Sequence, residues 1–380
     1  MIEQTLAIVR NTFFESIRQP IMLVVLVIAT LAIVLCNPLA AFTMDDDQKM
    51  LIDIGLATVF LCSALLASFI ATSVLNREIE NRTALTVVSK PVARPVFVLG
   101  KFLGAAGALL LATLYMSLVF LLVEMHGVLQ TVRDPMHQPV WVFGLWALVI
   151  GFLAATWCNY FYNKVFASTV VCFTTPLVAL AYLLSMMFRH DFSVQPMSAG
   201  FEGQLWFAVI VMMVAVLVLV AVAIAASTRV GQVMTIFITL GTFMLGLLSD
   251  HLFGRRLAGL RATWTERARD EGLTETVERV RTIQLTTGTG EVSEPVVEQI
   301  HVATVPLTQM AEGMEVLLYG VLWVFYAIIP NFQIMLLLDA LTQGHVIPGS
   351  YVVGSIVYGL LFVVIALCVA VILFQRREVG

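Results

Sequence analysis

The sequence predicts an all-α polytopic membrane protein, and three features carry that prediction. The 380-residue chain is 60% hydrophobic and only 12% charged, against roughly 25% charged in an ordinary soluble domain. The charges are clustered, so long uncharged stretches lie between them. Eight such stretches, at about 21–42, 51–75, 102–123, 140–162, 166–188, 205–226, 231–249 and 351–374, reach the roughly 18 apolar residues of a transmembrane helix. Asp53, at the mouth of its run, is the only ionisable acid or base inside them. A charge at a helix centre costs about 2.5–3.5 kcal/mol, which accounts for that purity. Backbone in lipid must bond to itself, and the runs lack the alternation of barrel strands, so they read as helices. This composition excludes a soluble enzyme, and a net charge of −4 supplies no basic face for nucleic acid.

Ahead of the spans, residues 1–20 read as an interfacial amphipathic helix. Ile2, Leu6, Val9, Phe13 and Ile17 share one face, with Glu3, Arg10, Glu15 and Arg18 mainly elsewhere. Pro20 separates it from the first span, and the long apolar run without a small-residue exit argues against a cleavable signal peptide. Spans one to seven fill 21–249, with a charged loop at 76–101. With the N-terminus inside, eleven basic residues fall in cytoplasmic segments and three, Lys49, Arg133 and Arg189, in short outer loops, as the positive-inside rule asks. Eight spans return the C-terminus to the cytoplasm.

Residues 250–314 then fall outside as an extracytoplasmic insert, because long loops translocate largely regardless of their charge. Leu257, Leu260 and Trp264 repeat at helical spacing, as do Leu273, Val277 and Val280. A Gly288-Thr289-Gly290 turn precedes Val-rich segments able to pair as short strands. A small α+β fold over about 252–312 is the expectation. Within 315–350, an apolar stretch at 315–341 is broken by Pro330-Asn331 into arms too short to span. A re-entrant or interfacial hairpin on the outer side follows. Residues 351–380 are the last span and a cytoplasmic tail.

Chemistry-bearing groups are few. Cys36, Cys62, Cys158, Cys172 and Cys368 sit inside spans without a CxxC and act as small apolar residues. The six histidines lie in loops or at span ends, and no GxxxxGK[ST] phosphate loop exists. Catalytic, cofactor and metal residues are therefore expected to be none, with any ATP and Mg held by another chain. Secondary transport would want a charge near mid-bilayer, and Asp53 beside Asp45-Asp46-Asp47 reads as an outer helix cap. Energy is expected to arrive mechanically from the cytoplasm. Gly100-x-x-x-Gly104 with Gly107 marks a close helix contact, within one protomer or between two. Trp157, Tyr160 and Tyr162 read as an interfacial aromatic belt.

The loop between spans two and three is the distinctive segment. Glu78 and Arg82 form an i,i+4 pair, and Pro91 ends the helix they belong to, giving a short charged helix parallel to the membrane. Its pattern Arg77-Glu78-x-Glu80-x-Arg82-Thr83, then Ser89-Lys90-Pro91-Val92-x-Arg94 and Leu99-Gly100-Lys101, resembles the permease subunits of ABC type-2 exporters. The branch with nitrous-oxide-reductase-maturation and gliding-motility permeases is the most similar. Ile329-Pro330-Asn331-Phe332, Asp339, Gly344, Tyr358 and Phe374-Gln375-Arg376-Arg377-Glu378 agree with it, as does the N-terminal helix. The likeness covers the first 125 and last 70 residues well, and 205–249 moderately. A family core of six spans implies that one pair, 140–188, is inserted, and the 252–312 insert exceeds the family pattern.

The resemblance implies that the loop is a coupling helix docking into a separate ATPase subunit. Arg77, Glu78, Glu80, Arg82 and Thr83 would make the contacts, while Lys90, Arg94 and Lys101 position the loop at the headgroups. The expected protein is then the membrane-spanning subunit of an ATP-driven exporter in the plasma (inner) membrane, pairing with itself or a related permease, and not itself an enzyme. Its spans suit a lipid-like or amphiphilic substrate. The rival readings are a membrane scaffold or mechanotransmitting subunit gripping an extracytoplasmic partner, and a secondary transporter.

Overall fold

The computed structural model describes residues 2–42, 47–80, 93–129, 136–287, 290–303 and 306–375, with the backbone alone at 2, 75–80, 275–287 and 290–303. The first helix, α1 (Ile2–Ile17), stops where Gln19 turns extended and Pro20 opens α2 (Pro20–Ala40). Proline suits that first-turn position because its missing N–H would find no partner there. Then come α3 (Asp47–Glu80), α4 (Arg94–His126), α5 (Gln138–Tyr162), α6 (Phe166–Met186), α7 (Gly203–Ser227) and α8 (Gln232–Ser249). Asn163 caps α5 in the left-handed conformation at φ 51°, which asparagine tolerates better than most side chains. Eight of the helices among the described residues are long and apolar enough to cross a membrane, at the places where the sequence puts spans.

The chain divides into two compact units. The first is Met1–Met244 with Phe332–Gly380. Its centre is α4, which touches α1, α2, α3, α5, α6, α7 and the last helix α12 (Gly349–Gln375). About 72% of the apolar stretch of α4 and of α7 is buried, against 17% for α12 and 22% for α5. Apolar side chains on the outer helices therefore face away from the protein, as lipid-facing helices require. An edge-to-face cluster of Phe60, Phe243 and Phe332 closes part of this core, with centroids 5.1–6.4 Å apart. Helices α5 and α6 pack closely as a pair. A Cβ on Gly151 would lie 2.6 Å from the Thr174 methyl, so glycine permits the approach.

The second unit is Leu245–Asn331. A π-helical turn at Asp250–Gly254 leads into α9 (Arg255–Asp270). Leu257 and Trp264 are buried there, as their spacing anticipates. The strands β1 (Thr274–Thr287) and β2 (Gly290–Ala303) form an antiparallel ribbon running from Thr274↔Ala303 to Thr287↔Gly290. The helical spacing of Leu273, Val277 and Val280 is thus misleading. Leu273 lies at the turn after α9, and Val277 and Val280 belong to β1. Two β-branched pairings across the ribbon, Val277↔Ile300 and Val280↔Val297, show the residue types that favour strand.

Helix α10 (Glu315–Ile328) has 14 residues, about 21 Å at 1.5 Å per residue and short of a roughly 30 Å bilayer core. It stops at Ile329, which is extended at ψ 122° as the residue before proline prefers. In the first unit, α11 (Leu338–Thr342) precedes α12.

Arg267 clamps α10 to α9. Its Nη1 and Nη2 donate to Glu315 Oε2 at 2.7 Å and Oε1 at 3.0 Å, and Trp264 Nε1 donates to Oε2 at 2.8 Å. The Glu312 amide adds a fourth donor at 3.0 Å. The Arg267 guanidinium first, then the Glu312 amide and Trp264, hold the Glu315 carboxyl down at about 2. Bidentate, charge-assisted geometry of this kind is strong and directional.

Candidate functional site

Contacts at one end of the first unit gather both flanks of the charged loop. Arg94 opens α4 and donates through Nη1 to the carbonyl of Gln375 in α12 at 2.6 Å. One turn on, the Phe97 ring stacks on Phe374 at 5.7 Å and 23°. Lys101 is 1% exposed, with its ammonium 3.7 Å from Glu15 of α1 and 5.9 Å from the centroid of the Phe97 ring. Gln19, at the junction of α1 and α2, donates to Ser73 Oγ of α3 at 2.5 Å.

The same end explains the glycine spacing in α4. A Cβ on Gly100 would meet Ile8 Cγ2 at 2.8 Å, and one on Gly104 would meet Thr12 Cβ at 2.5 Å and the Val9 carbonyl oxygen at 2.7 Å. Gly107 faces Phe13 at 3.4 Å. The close contact is therefore internal to the protomer, and its partner is α1. Thr12, Ser16 and Ile17 are buried, so α1 is a packed element of the bundle as well as an amphipathic one.

Of the residues expected at the coupling loop, Arg77, Glu78 and Glu80 lie on the last turns of α3, where the backbone alone is described. Arg82, Thr83 and Lys90 fall outside the described residues, and with them the Glu78–Arg82 pair and Pro91. Arg94 and Lys101 are brought together with α1 and α12. Lys101 contacts Glu15 and the Phe97 ring there.

The opposite end of α4 holds a group that the apolar runs hide. Helix α4 continues to His126, so both Lys101 and Glu124 lie inside a span-length helix, and Asp53 is not the only ionisable group in one. Glu124 Oε1 accepts from Gln48 Nε2 at 2.9 Å. With His137, Gln195 and Glu202 it lines a polar cavity of about 330 Å³. Nearby, Trp141 Nε1 donates to His126 Nε2 at 3.2 Å, and His126 Nδ1 and His137 Nδ1 are buried without a hydrogen-bond partner among the described residues. The signal in the sequence is slight: Glu124 and His126 follow the 102–123 run directly.

These helices define an α-helical, multi-pass membrane protein. No group of three His, Cys, Asp or Glu side chains arranged for a metal ion occurs among the described residues. No protein-family profile, curated protein or solved structure matches the chain.

Proposed function

We propose that this protein is the permease subunit of an ATP-driven ABC exporter in the plasma (inner) membrane, with both termini cytoplasmic. Coupling runs through Arg77, Glu78, Glu80, Arg82 and Thr83 to a separate ATPase subunit that holds ATP and Mg. The observation that supports this reading most is the bracing of the loop's flanks. Helices of 34 and 33 residues flank it, and the second of them is fixed to α1 by the glycine seam and to α12 by Arg94 and Phe97. A loop between braced rods transmits displacement, whereas a slack connector absorbs it. Two permeases, identical or related, would pair on two ATPases, and substrate would move through a cleft between them. Residues 250–314 would lie outside and 315–350 would form the re-entrant hairpin.

The test is affinity purification of the tagged full chain in mild detergent from its own cells. Wild type is compared with Glu78→Arg plus Arg82→Glu. An ATPase retained by wild type and lost in the double variant is the expected result. An ATPase retained by both would move the docking site elsewhere. Its absence from crosslinked wild type would overturn the reading and favour a scaffold or mechanotransmitting subunit. That second reading draws on the clamped Leu245–Asn331 unit, which is compact enough to grip an extracytoplasmic partner.

A further inference from the structure

Tyr182 lines two unlike chambers built from the C-terminal half of α4, the closing turns of α6 and the opening turn of α7, with Gln48 of α3, His137 and Gln195. On one side is a slot of about 620 Å³ lined by Leu114, Leu118, Ala179, Leu183 and Trp206. On the other is the 330 Å³ chamber holding Gln48, Glu124, His137, Gln195 and Glu202. Both are lined by Tyr182, whose hydroxyl accepts from Trp206 Nε1 at 3.1 Å and fixes the ring between them.

The polar chamber is acidic. Glu124 sits deeper, held by Gln48, and Glu202 stands exposed at the mouth as the charged group acting on it. Burial first, then the neighbouring His126 and His190, push the His137 imidazole down, so it is biased against carrying positive charge. A carboxyl group buried beside an exposed carboxylate is disfavoured as an anion, by lost solvation first and by the neighbouring charge second, and a cation between the two relieves both costs. The adjoining slot is lined by apolar side chains within the span-length helices, so it accepts hydrocarbon and excludes charge. One chamber asks for positive charge with hydrogen-bond donors, the other for a chain.

We propose that the paired chambers form a binding site for a cationic amphiphile, its primary ammonium held by Glu124 and Glu202 and its hydrocarbon chain in the slot past Tyr182. The site rests on the cavities alone and stands whether or not the chain couples to an ATPase.

The experiment uses the full chain in phosphatidylcholine nanodiscs, with radiolabelled dodecylammonium as the probe and empty nanodiscs as the baseline. Saturable binding by wild type is expected. Glu124→Gln should weaken it by about tenfold or more, the size of one charge-assisted hydrogen bond. Glu202→Gln, at the exposed mouth, tests the same charge where folding is not at stake. Ala179→Phe should weaken dodecylammonium binding by filling the slot, and dodecyl sulfate should not compete. Equal affinity in wild type and both glutamine variants would overturn the proposal. So would displacement of the probe by dodecyl sulfate, or displacement by calcium at concentrations that leave the slot untouched, which would mark an ion site instead.

Discussion

Gly104→Ala is the sharpest probe of the seam between α1 and α4. Replacing glycine by alanine inside a helix ordinarily stabilises by about 0.5–1 kcal/mol, because alanine has less backbone freedom to lose. At Gly104 the new methyl would lie 2.5 Å from Thr12 Cβ and 2.7 Å from the Val9 carbonyl oxygen. A backbone oxygen cannot rotate aside, so the helices must separate by roughly 1 Å to restore ordinary carbon contacts. Overpacking of this kind costs about 1–3 kcal/mol, which exceeds the helical gain. Gly241, mid-way along α8, has nothing among the described residues within 4 Å of its Cβ position, so the same change there keeps the gain. The two variants should therefore shift stability in opposite directions, Gly104→Ala down and Gly241→Ala up. Thermal unfolding of the purified full chain in one detergent, followed by tryptophan fluorescence, measures both. A Gly104→Ala protein as stable as wild type would refute the close approach of α1.

Other expectations concern separate contacts. The Glu315 carboxyl is held at about 2, below its ordinary 4.5, so its stabilisation is complete above pH 4.5 and lost as pH falls toward 2. The protection factors of the α10 amides, observed exchange divided by the intrinsic rate at each pH, should fall across that window in wild type, and in Glu315→Gln they should already be low at neutral pH and change little with acid. Phe332→Ala empties a fully buried ring site between Phe60 and Phe243 and should destabilise by about 3–5 kcal/mol in thermal or denaturant unfolding. Paired cysteines at Ile8 and Gly100, whose Cβ positions are 3.0 Å apart and need separate by only about 0.5 Å to reach disulfide range, should crosslink under mild oxidant, seen as a mobility shift under non-reducing electrophoresis. If they stay reduced, α1 is not docked on α4.

Most of the helical frame is legible in the sequence because insertion in lipid punishes charge and leaves long uninterrupted runs. The same criterion blurs helix ends. The run at 102–123 begins directly after Lys101 and ends directly before Glu124, yet both belong to α4, where protein groups meet their charges. Gly100 and Gly104 announce a close contact, but spacing on one helix cannot name its partner. In Leu245–Asn331 the apolar spacing at 273–280 fits two periods over so few residues, and the cross-strand pairing decides for strand. The cavity at Glu124 was illegible for a plainer reason: Gln48, Glu124, His137 and Glu202 meet only through the packing of distant segments.

One helix, α4, carries Arg94 at one end and Glu124 toward the other, about 45 Å apart at 1.5 Å per residue. Such a rod makes the two ends thermodynamic neighbours. If it tilts or slides as a body, any ligand that prefers one of its positions alters the affinity of whatever is held at the far end, and by reciprocity the far partner alters the ligand's affinity by the same factor. Occupancy of the acidic chamber would then be readable as a change in affinity at the loop, with no signal carried by any residue in between except the rigidity of the helix itself.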